Sequence, residues 1–142
     1  MAKHARAKAV SKAVYEAQAA FRFALRRFYR VSETNARRLG LTPQQYQALL
    51  AVWGYPGRDR VTVGELAERL QLRPHSAVGL AGRLVGKGLA TKETSSLDRR
   101  RVFLQLTPRG RDLVRRVSAS NRDELRRAGP ELIQLLRRLM KR

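Results

Sequence analysis

The chain has no cysteine and only two histidines, His4 and His75, far apart in sequence. No disulfide, thiolate redox switch or cysteine-based metal site can form, and two distant imidazoles do not make a zinc site. No apolar run approaches the roughly 20 residues that a membrane-spanning helix needs. The basic N-terminus also lacks the apolar core of a signal peptide, so a cytoplasmic location is expected. Acidic residues are scarce, 11 against 31 lysines and arginines. The sequence shows no paired carboxylates, no nucleophile beside a base, no phosphate-cradling glycine loop and no metal cluster. An enzyme is therefore not expected, and neither a cofactor nor a metal is called for.

What is present is positive charge, a net +20 over 142 residues. That length suits one domain with a real core, and that charge suits a polyanionic partner. The charge is spread along the chain. Residues 1–40 carry 10 basic and 2 acidic side chains, 41–116 carry 14 and 6, and 117–142 carry 7 and 3. Net charge alone therefore marks no binding face. Arginine outnumbers lysine 25 to 6, which suits phosphate forks and groove insertion.

After an alanine-rich basic lead-in at residues 1–10, Val14, Phe21 and Phe28 recur every seven residues, with Ala17, Leu25 and Leu39 on nearly the same side. This spacing predicts one long helix from about Ser11 to Leu39. Its opposite side carries Arg22, Arg26 and Arg30, a solvated face with Glu33 near enough to answer Arg30 and Arg37. A helix this long in a small domain leaves apolar surface for a second subunit. Gly40 ends it. Thr42, Pro43 and Gln45 supply an N-cap, a proline at the first helical position and a capping box, with Leu41 placed to staple against Tyr46. The apolar face that follows reads Tyr46, Leu49, Leu50 and Trp53, up to the stop at Gly54.

A short strand is expected at Arg60-Val61. Thr62 and Glu65 make a second capping box before a short helix with Val63, Leu66, Ala67 and Leu70 inward. After a tight turn at Leu72-Arg73, Pro74 opens another helix whose inward stripe is Ala77, Leu80, Ala81 and Leu84. Two short helices around so tight a turn suggest helix-turn-helix. The outward side of the second shows His75, Ser76, Val78, Gly79, Gly82, Arg83 and Gly86. Its glycines weaken the helix by roughly 1 kcal/mol each and would permit close approach to DNA. Beyond Gly88, Leu89 to Thr94 reads as a strand, residues 95–101 as an arginine-crowded loop, and Val102, Leu104 and Leu106 as the inward side of the returning strand. Thr107 and Pro108 cap a helix with Leu113, Val114 and Val117, which Gly129-Pro130 is expected to break. A last amphipathic helix then displays Leu132, Ile133, Leu135, Leu136, Leu139 and Met140.

The run Asp98-Arg99-Arg100-Arg101-Val102-Phe103-Leu104-Gln105-Leu106-Thr107-Pro108-Arg109-Gly110 resembles the wing of the MarR family of bacterial transcriptional regulators, Asp-x-Arg followed by Leu-x-Leu-Thr-x-x-Gly. Glu65-Leu66-Ala67, Arg83-Leu84 and Lys87-Gly88-Leu89 extend the match, and the resemblance covers nearly the whole chain. It implies a mainly α fold with a small β-wing: a winged helix-turn-helix lobe at 41–107, and dimerisation helices at 1–40 and 108–142, within one domain.

The resemblance also implies a homodimer on double-stranded, pseudo-palindromic DNA, and a repressor tuned by a small-molecule effector. The wing arginine Arg100 would enter the minor groove, oriented by Asp98 and flanked by Arg99. Arg73, His75, Ser76, Val78, Gly79 and Arg83 would face the major groove, with Arg83 equally placed for a phosphate or an internal pair. The sequence departs from the common family pattern at Gly82, where an acidic residue is frequent, and at Gly79, where a longer polar one is. Phe28, Tyr29, Trp53 and Tyr55 lie on elements that flank the family's effector pocket, although aromatics at helical spacing are more often core. The alternative to a sequence-specific regulator is an architectural protein that coats DNA with little preference.

Overall fold

The structure, a computed structural model, describes residues 9–141. His4 and most of the basic lead-in lie outside the described residues. The elements are α1 (Lys12–Arg38), α2 (Pro43–Trp53), β1 (Arg60–Thr62), α3 (Val63–Leu70), α4 (Pro74–Gly86), β2 (Ala90–Thr94), β3 (Val102–Leu106) and α5 (Pro108–Met140). This is the mainly helical winged-helix fold that the sequence implies. The chain forms two compact units. One joins the described parts of residues 1–31 and 123–142, and the other is residues 32–122.

Within residues 32–122 the helix starts are where local chemistry puts them. Thr42 accepts from the Gln45 amide and Gln45 Oε1 accepts from the Thr42 amide. Thr62 and Glu65 repeat this box at α3. Gln71 takes a left-handed conformation (φ 53°) at the α3 C-cap, which makes the turn tight enough for Pro74 to open α4 at once. The buried stripe of α4 is Ala77, Leu80, Ala81 and Leu84, as the spacing predicts. The three antiparallel strands run in the order β1-β3-β2, with Val61 and Lys92 both opposite Leu104. Leu49, Val52, Leu66, Leu80, Leu84, Leu89, Leu104, Val114 and Val117 fill the core under this sheet.

Three sequence expectations are corrected. The apolar face of α2 is rotated: Ala48, Leu49 and Val52 are buried with Gln45 and Tyr46, whereas Leu50 and Trp53 are 44% and 46% exposed. Both faces of this helix are apolar, so periodicity could not choose between them. On α1, Val14 is exposed and the buried positions are Ala17, Ala24 and Ala36, with Phe21, Leu25 and Phe28 half-buried. Pro130, finally, does not break the last helix, since α5 runs continuously from Pro108 to Met140. Proline removes one intrahelical hydrogen bond and crowds the preceding turn. Here its ring is exposed and the residue before it is a glycine, which has no Cβ for the ring to crowd.

The junction of α4, β2 and α5 is a close backbone approach. Gly88, with φ +73°, turns the chain out of α4. Thr107 Oγ1 then donates to the Gly88 carbonyl at 2.7 Å, the Thr107 amide to the Leu89 carbonyl at 3.0 Å, and Arg109 Nη1 to the Lys87 carbonyl at 3.1 Å. A β-carbon at Gly110 would stand 2.1 Å from the Leu89 carbonyl oxygen. Two separate sequence motifs, Lys87-Gly88-Leu89 and Thr107-x-x-Gly110, are therefore the two sides of one backbone contact. Substituting Gly110→Ala should destabilise the fold by about 3 kcal/mol, since backbone rather than a movable side chain must yield. Chemical denaturation checks this, and an unchanged midpoint would contradict the contact.

Candidate nucleic-acid interface

β2 and β3 carry between them a loop at 95–101 that is built from its own polar groups. The Ser95 amide donates to the Arg101 carbonyl at 2.9 Å, and Ser95 Oγ accepts from the amides of Leu97 and Asp98. Asp98 then turns to Arg100. Its Oδ1 accepts from the Arg100 amide at 3.0 Å and from Arg100 Nε at 3.2 Å. These two bonds, backbone first, hold the Asp98 carboxyl below the usual carboxylate range. The Arg100 side chain is nonetheless 91% exposed. Its base is fixed while its outer nitrogens are free to bond elsewhere.

The other two wing arginines differ. Arg101 lies over the Phe103 ring at 5.6 Å, with Arg60 from β1 at 4.3 Å. Arg99 makes no such contact among the described residues. Sequence reasoning missed the Arg60–Phe103–Arg101 stack because the pairing that brings β1 beside β3 is not a local pattern.

On α4, His75, Ser76, Val78, Gly82 and Arg83 are exposed and Gly79 is half-buried. Arg73 is the N-cap residue, without a side-chain cap bond. Arg83 pairs with no acid among the described residues, which removes the internal ion pair that the sequence left open for it. The space beside Gly79 and Gly82 is occupied from within the chain. Arg83 Nη1 lies 3.2 Å from where a Gly79 β-carbon would be, and Lys92 Nζ lies 3.9 Å from that of Gly82. Lys92, on β2, was not among the sequence candidates. Lys87, just past α4, ties the helix to the α1–α2 junction by donating to the Gly40 carbonyl at 3.0 Å and Gln45 Oε1 at 2.9 Å.

The helix-turn-helix is braced on its outer side. The Arg58 guanidinium forms a two-pronged ion pair with Glu65, and the Tyr55 ring lies under Arg58 at 4.5 Å and Arg69 at 4.8 Å. The Arg58 hydrogen bonds are the main cause that lowers the Glu65 carboxyl from an ordinary 4.5 to about 2.

The four aromatic candidates for an effector pocket fall in different surroundings. Phe28 and Tyr29, rings 5.6 Å apart, belong to the unit of residues 1–31 and 123–142. Trp53 and Tyr55 belong to the other. Tyr55 is engaged by its two arginines. Trp53 has Arg111 over its ring at 5.5 Å and lines a groove of about 490 Å³ with Leu50, Val114, Arg115, Ser118, Ala119 and Arg122. The expectation of core packing fails for Trp53 and Tyr29, both about half exposed. No cluster that could hold a metal occurs among the described residues, and no helix among them is long and apolar enough to cross a membrane.

Comparison with known proteins agrees with the family resemblance. The MarR family model matches residues 39–101. Among solved structures, the fold is similar to that of AbsC, a MarR family transcriptional regulator from Streptomyces coelicolor. That match has 22% identity and a TM-score of 0.75, covering 88% of this chain and 84% of that one. An S. aureus MepR variant bound to an oligodeoxyribonucleotide matches at 23% identity and TM-score 0.65, over 78% of this chain and 79% of that one. Bordetella bronchiseptica BpsR, whose DNA binding is regulated by 6-hydroxynicotinic acid, matches at 19% identity and TM-score 0.66, over 89% and 99%. No curated protein matches the chain.

The brace makes a testable statement about pH. A carboxyl whose folded pKa is depressed adds stability above its unfolded pKa and loses it as pH falls toward the folded value. For Glu65 that window runs from about 4.5 down to about 2. Glu65→Gln keeps the capping-box oxygen and removes the charge. The variant should melt a few degrees below wild type at neutral pH, and the gap should close as pH falls through this window. A gap that stays constant with pH would contradict the ion pair's role.

Proposed function

We propose, from the premise that residues 39–101 are a MarR-family winged helix, that the protein is a homodimeric, sequence-specific DNA-binding transcriptional regulator. It acts as a repressor whose affinity a small molecule changes. The observation that carries this reading is the wing: a nearly fully exposed Arg100 aimed at its base by Asp98, on a hairpin locked to the end of α4. A narrow minor groove concentrates negative potential and favours such an arginine. With α4 in the adjacent major groove, His75, Ser76 and Val78 face base edges and Arg73 and Arg99 lie near phosphates. The oligonucleotide complex of MepR supports this reading by analogy of fold. No catalytic role is proposed, and the site of action is the chromosome in the cytoplasm.

Two further parts rest on other observations. Tyr15, Phe23, Leu125, Ile133, Leu136 and Met140 are exposed on the parts of α1 and α5 outside the winged-helix unit, a surface suited to a second copy of the chain. The dimer would present two wings and two α4 helices to half-sites about one helical turn, roughly 34 Å, apart. The effector would lie in the groove beside Trp53, as regulation of BpsR by 6-hydroxynicotinic acid suggests by analogy.

Competition binding separates this reading from the architectural one. A genomic promoter fragment that carries the operator should outcompete random DNA by at least about a thousandfold at physiological salt. Equal competition would favour a protein that coats DNA. Arg100→Ala should weaken specific binding about tenfold or more, with the sedimentation of the protein unchanged. Unaltered affinity in a gel-shift titration would remove Arg100 from the interface.

A further inference from the structure

Gly79 and Gly82 leave α4 without side chains where a recognition helix would ordinarily offer them. The positions are not vacant. The Arg83 side chain runs back along the helix toward its N-terminus, the usual direction for a long helical side chain. Its Nη1 comes to rest 3.2 Å from where a Gly79 β-carbon would stand. Any larger residue at 79 would displace it. The guanidinium thereby lies against the helix at Gly79, one turn before its own position, and no acid among the described residues holds it back. Lys92 of β2 sits over Gly82 in looser contact, with a compact ammonium suited to a phosphate.

We propose that Arg83, seated in the slot left by Gly79, makes the two-pronged base contact of α4, and that it reads guanine. The inference rests on the DNA-binding role proposed above. Guanine shows two acceptors, O6 and N7, side by side in the major groove, and a guanidinium offers two parallel N–H donors at matching spacing. Among the exposed residues of α4 only His75 and Ser76, both in its first turn, also carry side-chain donors, and neither offers the two parallel N–H groups of a guanidinium. The glycine at 79 thus acts less by admitting DNA close to the helix backbone than by making room for an arginine from the next turn.

Selection of binding sites from randomised duplex DNA tests this, using the full chain as wild type, Arg83→Gln and Gly79→Leu, with the melting temperature of each measured alongside. Wild type should enrich a guanine at one position of each half-site. Arg83→Gln should bind that site about tenfold more weakly or worse and should enrich adenine there, because glutamine pairs with adenine N6 and N7. Gly79→Leu should lose the guanine preference without a fall in melting temperature, since leucine has the higher helix propensity and only the end of Arg83 must move. If Arg83→Gln weakens binding to all duplexes by the same factor, Arg83 is a phosphate contact and the proposal is overturned. Retained guanine preference in Gly79→Leu overturns the seating argument. A wild type that enriches no sequence at all would overturn the regulator reading itself.

Discussion

Everything in the winged-helix unit hangs on the backbone contact between residues 87–89 and 107–110. The segment that follows α4 and the first turn of α5 meet there backbone to backbone, because residue 110 is glycine and the Thr107 amide and hydroxyl bond the Leu89 and Gly88 carbonyls. β2 leaves this junction and β3 returns to it, so the hairpin cannot swing independently of α4. A wing that reaches one groove while a helix occupies the next needs that fixed relation.

Charge is then distributed by what each cation is tied to. Arg58, Arg69, Arg60 and Arg101 lie against Tyr55 or Phe103 and brace the fold. Arg109 caps the Lys87 carbonyl at this junction, and Lys87 caps the Gly40 carbonyl between α1 and α2. Arg99 and Arg83 have no acid partner among the described residues, and Arg100 is aimed but not neutralised. A chain of net charge +20 therefore directs few of its cations outward from the helix and wing, and it is their placement rather than the total that suits a DNA groove.

Much of this was legible in the sequence wherever the determinant is local. The two capping boxes, Pro74 at the start of α4 and the Asp98–Arg100 pair depend on residues two or three apart, and each formed as its spacing predicts. The stripe of α4 was legible because its other face has almost no apolar side chains to compete. The α2 stripe was not, since Leu50 and Trp53 are as apolar as Ala48 and Val52, and only tertiary packing decides which pair is covered. At Pro130 a local rule was overruled by the continuity of a long helix. The occupants of the glycine slots were hidden for different reasons: Lys92 arrives from another strand, and the Arg83 rotamer depends on the very absence that the sequence displays.

The central claim is that wing and α4 engage neighbouring grooves as one rigid pair in each copy of a dimer. Hydroxyl-radical footprinting of the wild-type protein on a site selected from randomised duplex DNA tests it most directly. The account predicts two symmetric half-sites with centres about one helical turn apart, each flanked by minor-groove protection where Arg100 enters. A single continuous protection without two-fold symmetry would contradict it.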